Sequence, residues 1–456
     1  MKPALNIHDI PKWNQWIIFS LQHLFAMFGA TILVPALTGL DPAVALVSSG
    51  VGTLAFILIT RGSVPAYLGS SFAFIYPITQ SIEAAGIGGA MIGSFFAGLA
   101  YGVVAIAIRL GGMKSIIKLL PPIVVGPVII VIGLALAPTA VDMAMNAPDT
   151  GEYSTKYFTI ALVTLAITVV ASIFLKGFLG LIPVLIGIIG GYVFALTQGI
   201  VDTSGVQAAW NQIVTADSIG AFFSGIFTVP NFTIPFVDYN VADVFSWQLF
   251  FTMVPIAVVT VSEHIGHQLA LSKIVDQNML VKPGLHTSLA GDGVATIIAS
   301  MLGGPPNTTY GENIGVLAIT RVFSVFVIGG TAVLAILFGF TGLITALISS
   351  VPSAVMGGVS IMLFGIIAAS GLRTMIDSQL DLGDKRNLII SSIILVIGIG
   401  GAFLRFQIAD LDLEINSMAL AALVGVVLNL VLPGKESGLG NGSLFTVEDQ
   451  KQAASK

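Results

Sequence analysis

The sequence contains no cysteine, which excludes a disulfide framework, a thiolate metal site and a cysteine nucleophile. Charge is also scarce, because only 9% of the residues are Asp, Glu, Lys or Arg, against about 25% in soluble domains. The formal net charge of -5 is dispersed along the chain, so there is no basic patch for nucleic acid. These absences exclude a small disulfide-stabilised domain and a nucleic-acid-binding protein.

Apolar residues make up most of what is present. Of 456 residues, 55% are hydrophobic, and the mean hydropathy is +0.98. Inside hydrocarbon a helix satisfies its own backbone groups, so this composition predicts an all-α polytopic membrane protein in a lipid bilayer. The 51 glycines agree with this, because close helix packing in lipid favours small residues.

The apolar runs predict fourteen transmembrane segments, seven on each side of a longer polar stretch. These segments are residues 15–36, 43–60, 66–82, 88–108, 119–138, 157–174, 178–198, 247–272, 284–302, 307–320, 322–340, 353–372, 387–404 and 416–432. Lys and Arg gather in cytoplasmic loops of membrane proteins. If both termini are cytoplasmic, only Lys156 and Arg405 of the 18 Lys and Arg residues fall on the opposite side.

Two halves of seven segments would be inverted repeats, because an odd number of crossings reverses the second copy. A shift of 241 positions places His23 on His264 and Ser71 on Glu312. Short segments interrupted by Gly or Pro at corresponding positions of two halves indicate a substrate site at the membrane midplane. The predicted organisation is a first repeat (1–198), an extracellular linker with some strand-like pieces (199–246), a second repeat (247–432) and a cytoplasmic tail (433–456).

The tenth predicted segment is too short to cross a membrane as a helix. Between Pro306 and Arg321 lie about 15 residues, which as a helix would span about 22 Å of a hydrocarbon layer about 30 Å thick. If about five of these residues are extended, the length suffices. We therefore predict a broken segment with Glu312 near the break. A loop with a surface glutamate is the alternative, which the scarcity of flanking charge disfavours.

Three acidic residues, Glu263, Asp292 and Glu312, fall inside predicted segments rather than near their ends. Burying a charged carboxylate costs several kcal/mol, so each should face a cavity, find a partner or be protonated. Glu263 and Glu312 are the first candidates for proton coupling. A protonated acid in one interhelical hydrogen bond is the structural alternative, which applies most to Asp292.

His267 follows Glu263 by four residues and shares its helix face, so its imidazole could hold or relay a proton. A histidine that simply bonds to a neighbouring helix is the alternative. Zinc binding by Glu263, His264 and His267 fits poorly, because consecutive residues point about 100° apart and no third ligand is near. We expect no metal and no cofactor.

The two predicted breaks also supply hydrogen-bond donors. Helices starting near residues 69–72 and 310–313 would present free N–H groups and a positive dipole end. Donors beside carboxylate acceptors suit a flat ligand with C=O and N–H edges, and Phe72 and Tyr310 could stack on its face. A nucleobase or a cyclic imide has this shape.

Four stretches resemble motifs of the nucleobase/ascorbate transporter family, and within it the bacterial uracil permeases. They are QHLFAMFGA at 22–30, YLGSSFAF at 67–74, EHIGH at 263–267 and NTTYGEN at 307–313. The resemblance implies a core domain (15–110 plus 247–340), a gate domain (119–198 plus 353–432), and short antiparallel strands in segments 3 and 10. It also implies proton-coupled uracil import at the cell membrane and a possible homodimer through the gate domains.

The resemblance assigns roles to individual residues. Glu263 and Glu312 would bind the ring N–H groups of uracil, and the backbone N–H groups of Phe72, Gly311 and Glu312 would meet its carbonyls. His267 and Tyr310 would support the site and the proton path. Further supporting residues are Gln22, His23, Asp292 and Asn313.

Phe364 is a departure, because similar permeases can carry tyrosine there, which puts a polar gate contact in doubt. A purine or xanthine symporter of the same fold, for which sodium coupling is open, is the alternative within transport. We do not expect an enzyme, because no nucleophile or metal cluster of suitable spacing lies near the breaks.

Overall fold

The computed structural model describes residues 3–112, 118–177, 179–408 and 411–434, and most of these residues are helical. Within the described residues, seven helical spans are long and apolar enough to cross a membrane, and three apolar helices are shorter. The first half contains α1 (Trp13–Thr38), α2 (Pro42–Ile59), α3 (Ile75–Gly111), α4 (Pro122–Ala135), α5 (Ala137–Met145), α6 (Thr155–Phe174) and α7 (Pro183–Thr197). The mostly helical membrane fold is confirmed.

The second half repeats a similar order of elements. Its helices are α11 (Trp247–Met253), α12 (Ile256–Val275), α13 (Leu285–Leu302), α14 (Gly311–Thr320), α15 (Val325–Gly339), α16 (Gly342–Ser349), α17 (Ser353–Asp377), α18 (Lys385–Ile399) and α19 (Ser417–Val431). Every predicted segment overlaps one or more helices. The number of membrane crossings stays a prediction, and residues 435–456 of the predicted tail lie outside the described residues.

Local sequence signals set several helix boundaries. Gly39 ends α1 in the left-handed conformation at φ 75°, which is accessible to glycine without strain. Asp41 then caps α2 by accepting a hydrogen bond of 2.7 Å from the N–H of Ala43. Within α3, Ala85 and Gly86 leave helical geometry. This break lies between the predicted segments 66–82 and 88–108.

The linker departs from the expected loop with some strand-like pieces, because three short helices form within it. It contains α8 (Ser204–Val214), α9 (Ile219–Ile226) and α10 (Val241–Val244). In α8, Val206, Trp210 and Ile213 recur at helical spacing. Around Phe227 only an isolated bridge to Thr341 forms.

Two pairs of short antiparallel strands complete the described fold. The strands β1 (Leu68–Ser70) and β2 (Asn307–Thr309) pair with each other, so the extended backbone predicted in segments 3 and 10 is confirmed. The hairpin of β3 (Leu404–Ile408) and β4 (Leu411–Ile415) was not predicted. It is joined by an ion pair of 2.7 Å between Arg405 and Glu414.

The helices pack in two groups that meet along α12. In one group α13 packs on α2 and α3, and α15 packs on α1 and α2. In the other, α17 packs on α4, α5 and α6, and α18 packs on α4 and α19. Glycine allows α3 and α13 to approach closely: a Cβ at Gly293 would lie 2.8 Å from the carbonyl oxygen of Gly98. Contacts of α12 with α4 and α19 join the two groups.

Candidate functional site

The pairing of β1 with β2 brings the two sequence breaks together. Leu68 lies opposite Thr309, and Ser70 lies opposite Asn307. The N–H of Tyr310 extends the ladder with a bond of 2.9 Å to the carbonyl of Tyr67. All six strand residues are buried. Because the strands are antiparallel, the helices that follow them start at opposite ends of the pair and run in opposite directions.

A cavity of about 510 Å³ lies beside the strand pair, bounded by α12, α14, α4 and α17. Its volume is within the range of small-molecule sites. The wall includes every residue predicted to bind substrate or to couple protons, namely Phe72, Glu263, His267, Tyr310, Gly311 and Glu312. The structure therefore brings these residues from three distant stretches of the chain to one space.

The two candidate carboxylates reach the cavity from different helices. Glu263 lies near the middle of α12 and is 7% exposed. Its Oε2 has no hydrogen-bond partner among the described residues. Glu312 is half-buried in the first turn of α14, where the helix dipole stabilises negative charge. Glu312 therefore places an acceptor at the start of this helix, and Glu263 places another on the wall of the same cavity.

Behind the cavity wall, His267 begins a connected set of buried polar side chains. Its Nδ1 lies 3.1 Å from the hydroxyl of Thr309, which lies 3.4 Å from Nδ1 of His264. That same nitrogen of His264 is 2.8 Å from a carboxylate oxygen of Asp292. Nε2 of His264 is 2.8 Å from the hydroxyl of Ser288. The Asp292 carboxyl group is thus paired with a histidine.

The remaining predicted supporting residues lie outside the cavity wall. His23 is buried on α1, and the side-chain amide of Asn313 donates to its carbonyl at 3.1 Å. The same amide nitrogen is 3.2 Å from Nδ1 of His23. These contacts join α1 to α14 and so help to position Glu312. Gln22, which precedes His23 in the sequence, is also buried.

The two aromatic residues predicted to stack on a ligand differ in their surroundings. The hydroxyl of Tyr310 donates to the carbonyl of Ser70 at 3.0 Å, and the residue is 2% exposed. This placement favours a role in joining the two breaks. The ring of Phe72 meets Phe364 edge to face, with centroids 5.7 Å apart. Phe364 of α17 therefore packs against a residue of the cavity wall.

One end of the cavity is lined by charged residues that the sequence did not single out. Nζ of Lys273, near the end of α12, is 3.1 Å from Oδ2 of Asp377 at the end of α17. Nε of Arg373 is 3.7 Å from the same oxygen. Thr309 and Ser288 were also missed. No pattern within one segment predicts such contacts, because they join residues that are far apart in the chain.

The described residues contain no group of three or more His, Asp or Glu side chains that could hold a metal ion. The carboxyl and imidazole groups of the site can form hydrogen bonds and transfer protons, and backbone N–H groups can act as donors.

Comparisons with known proteins agree with this picture. A model of the permease family matches residues 14–406. The uracil permease of Bacillus caldolyticus is 61% identical over 441 residues, which cover 96% of this chain and 97% of that relative. The uracil permease of Bacillus subtilis (strain 168) is 61% identical over 436 residues, covering 95% and 96%. That of Escherichia coli (strain K12) is 41% identical over 430 residues, covering 94% of each.

Solved structures with low sequence identity share the fold. The transmembrane domain of the cyanobacterium bicarbonate transporter BicA superposes with a TM-score of 0.59 at 11% identity, covering 93% of this chain and 99% of that chain. The murine anion transporter Slc26a9 in its inward-facing state gives 0.61 at 10% identity, covering 93% and 69%. The relatives are permeases and not enzymes, and by the extent of the family match this chain belongs to the nucleobase/ascorbate transporter family of multi-pass membrane permeases.

Proposed function

We propose that this protein imports uracil together with protons across the cell membrane by alternating access. The observation that carries the proposal is one cavity lined by two glutamates and by the first residues of α14, in a chain 61% identical to proteins named uracil permease. Uracil has two ring N–H groups and two carbonyl oxygens. The cavity wall offers acceptors for the first and donors for the second.

The binding mode follows from hydrogen-bond complementarity. Glu263 and Glu312 accept from the ring N–H groups, while the backbone N–H groups of Phe72, Gly311 and Glu312 donate to the carbonyls. The first N–H groups of a helix have no carbonyl partner inside that helix, so a ligand oxygen can take their place. Phe72, whose ring packs edge to face with that of Phe364, provides an apolar surface for the base.

Proton coupling requires a group that gains and loses a proton during the cycle. Glu263 is the proposed carrier, because it lines the cavity and one of its oxygens has no hydrogen-bond partner among the described residues. His267, four residues along the same helix, is its proposed relay. A carboxylate left charged beside Glu312 in a low-dielectric cavity would be repelled by it. Protonation of Glu263 would remove that repulsion and leave Glu312 to hold the base.

The packing of the helices supports a core and a gate that move against each other. The elements of 15–110 and 247–340 contact one another extensively, as do those of 119–198 and 353–432. The order helix, helix, strand, helix occurs twice, first as α1, α2, β1 and α3 and again as α11–α12, α13, β2 and α14. This recurrence supports two inverted repeats of seven segments. The cavity lies between these groups and ends at Lys273 and Arg373, on the side proposed to be cytoplasmic with both termini.

Uptake of labelled uracil into proteoliposomes tests the proposal. An imposed proton gradient should drive uracil accumulation that excess xanthine does not inhibit, while a sodium gradient alone should have no effect. Protein-free liposomes and a dissipated gradient serve as controls. Accumulation driven by sodium and blocked by xanthine would instead identify a purine symporter of the same fold. Equilibration without accumulation would contradict active transport.

A further inference from the structure

An ion pair connects the two walls of the cavity at its charged end. Nζ of Lys273 on α12 is 3.1 Å from Oδ2 of Asp377 on α17, and both residues line the cavity. Lys273 belongs to the proposed core (247–340) and Asp377 to the proposed gate (353–432). Among the hydrogen bonds and ion pairs formed between described residues, this contact alone joins the two ranges of core residues to those of the gate. Separation of the two walls at this end therefore has one polar contact to break.

The position of this pair allows it to open without repacking the helices. Within the gate, α12 packs mainly on α4 and α19, whereas α17 packs mainly on α4, α5 and α6. The ends of α12 and α17 meet through long side chains, each of them 41% exposed. An ion pair in contact with water is weak, because water solvates the separated charges. Breaking it is therefore compatible with repeated opening and closing.

A second cation competes for the same carboxylate oxygen. Nε of Arg373 is 3.7 Å from Oδ2 of Asp377, and both residues are on α17, four positions apart. Because Arg373 moves with Asp377, it remains beside the carboxylate when Lys273 leaves. While the pair with Lys273 is formed, two positive charges share one oxygen and repel each other. Opening relieves that repulsion, so Arg373 favours the separated arrangement.

The helix ends stabilise the two partners unequally once they separate. Lys273 is in the last turn of α12, where the negative end of the helix dipole favours a cation. Asp377 is the last residue of α17, where the same dipole disfavours an anion. The carboxylate is therefore the partner that needs a cation in the open arrangement, and Arg373 supplies one.

We propose that Lys273 and Asp377 form a reversible latch between the proposed core and gate, and that Arg373 eases its release. The proposal rests on the movement of core against gate in the proposed function. It concerns neither uracil binding nor proton coupling, because Lys273 lies ten residues beyond Glu263, about 15 Å along α12. Removing the charge of Lys273 opens the latch, whereas removing that of Arg373 tightens it. The two changes act in opposite directions, although each removes one positive charge from the same end of the cavity.

A thiol reporter inside the cavity measures how often this end opens. Ala318 lines the cavity, is exposed and is not among the residues assigned to uracil, and the natural chain contains no cysteine. In the Ala318→Cys background, the rate of reaction with a bulky maleimide is measured on detergent-purified protein at low ionic strength. Lys273→Gln should raise this rate about 1.4- to 5-fold, and Arg373→Gln should lower it within the same span. If Lys273→Gln does not fold, Asp377→Asn replaces it and should raise the rate likewise.

Two controls separate the latch from a general effect of charge. Lys385→Gln removes an exposed cation that is in none of the ion pairs among the described residues, and it should leave the rate unchanged. Exchanging the charges, with Lys273→Asp and Asp377→Lys together, restores the pair and should return the rate to that of the unmodified protein or below.

The outcomes distinguish the latch from the proposed function. Unchanged rates in the Lys273 and Arg373 variants, changes in the same direction, or a rate that stays high after the charge exchange would overturn the latch. The labelling assay needs no uracil. Absence of proton-driven uracil uptake by the unmodified protein would therefore contradict the proposed function and leave the labelling result to be judged by itself.

Discussion

Glu312 provides the most direct test of the site, through the graded series Glu312→Gln and Glu312→Ala. A hydrogen bond from a ring N–H to a carboxylate contributes about 1.5–3 kcal/mol, and one to a neutral amide about 0.5–1.5 kcal/mol. Loss of the whole bond in the Ala variant should weaken uracil binding about 10- to 150-fold. The Gln variant keeps a neutral acceptor and should lose about 5- to 10-fold.

The structure indicates that these changes spare the fold. Glu312 is half-buried on the cavity wall, and its carboxylate is in none of the ion pairs formed among the described residues. Its structural contribution is that of an acidic residue in the first turn of α14, about 0.3–1 kcal/mol. The melting temperature of the detergent-purified protein should therefore fall by only a few degrees.

Isothermal titration calorimetry with uracil measures the affinity, and a thermal unfolding scan measures folding. Glu83→Gln, an exposed carboxylate on α3, is the matched control and should bind uracil as the unmodified protein does. Full-affinity binding by a well-folded Glu312→Ala protein would refute the assignment of Glu312 to the ligand. A large loss of affinity in the Glu83 control would show that charge removal acts nonspecifically.

Three further predictions address coupling, strand packing and movement. The glutamine side chain of Glu263→Gln cannot gain or lose a proton, so proteoliposomes with this variant should lose most uphill uracil uptake but keep the exchange of labelled for unlabelled uracil. Unchanged proton-driven accumulation would show that Glu263 does not couple transport to protons. Gly69→Ala should lower the free energy of unfolding by about 1–3 kcal/mol, measured by thermal unfolding, because the added Cβ would lie 2.5 Å from the buried ring of Tyr310. Gly102→Ala is the control and should be tolerated, because its Cβ meets open space. Cysteines at Lys273 and Asp377 in this cysteine-free chain, joined by a short bismaleimide, should arrest transport, and undiminished uptake after complete cross-linking would contradict alternating access.

The sequence predicted the helices well because each is an apolar run of constrained length. It also located the broken segments, since 307–320 could not span hydrocarbon as a helix. The hairpin of β3 and β4 was overlooked, although Leu411, Leu413 and Ile415 alternate with acidic residues, because the segment is short and lies between strong helices. In the linker, the helical spacing of Val206, Trp210 and Ile213 was also overlooked.

The candidate site was predictable only in part. Intramembrane acids such as Glu263 stand out by composition, and the residues predicted to bind substrate or couple protons all line one cavity. The hydroxyl of Thr309 and the pairing of Lys273 with Asp377 were not predictable. Their roles depend on which distant segments become neighbours, and no periodicity records that choice.

The pairing of β1 with β2 has a consequence for how the protein is made. Ser70 and Tyr310, which hydrogen-bond across the breaks, are 240 positions apart. At about 5–20 residues per second, the ribosome completes β1 about 10–50 s before β2 exists. During that interval the N–H and C=O groups of β1 lack the strand that satisfies them. Assembly of the binding site is therefore a late event of biogenesis, and the first half must be kept hydrated or sheltered by the insertion machinery until the second half arrives.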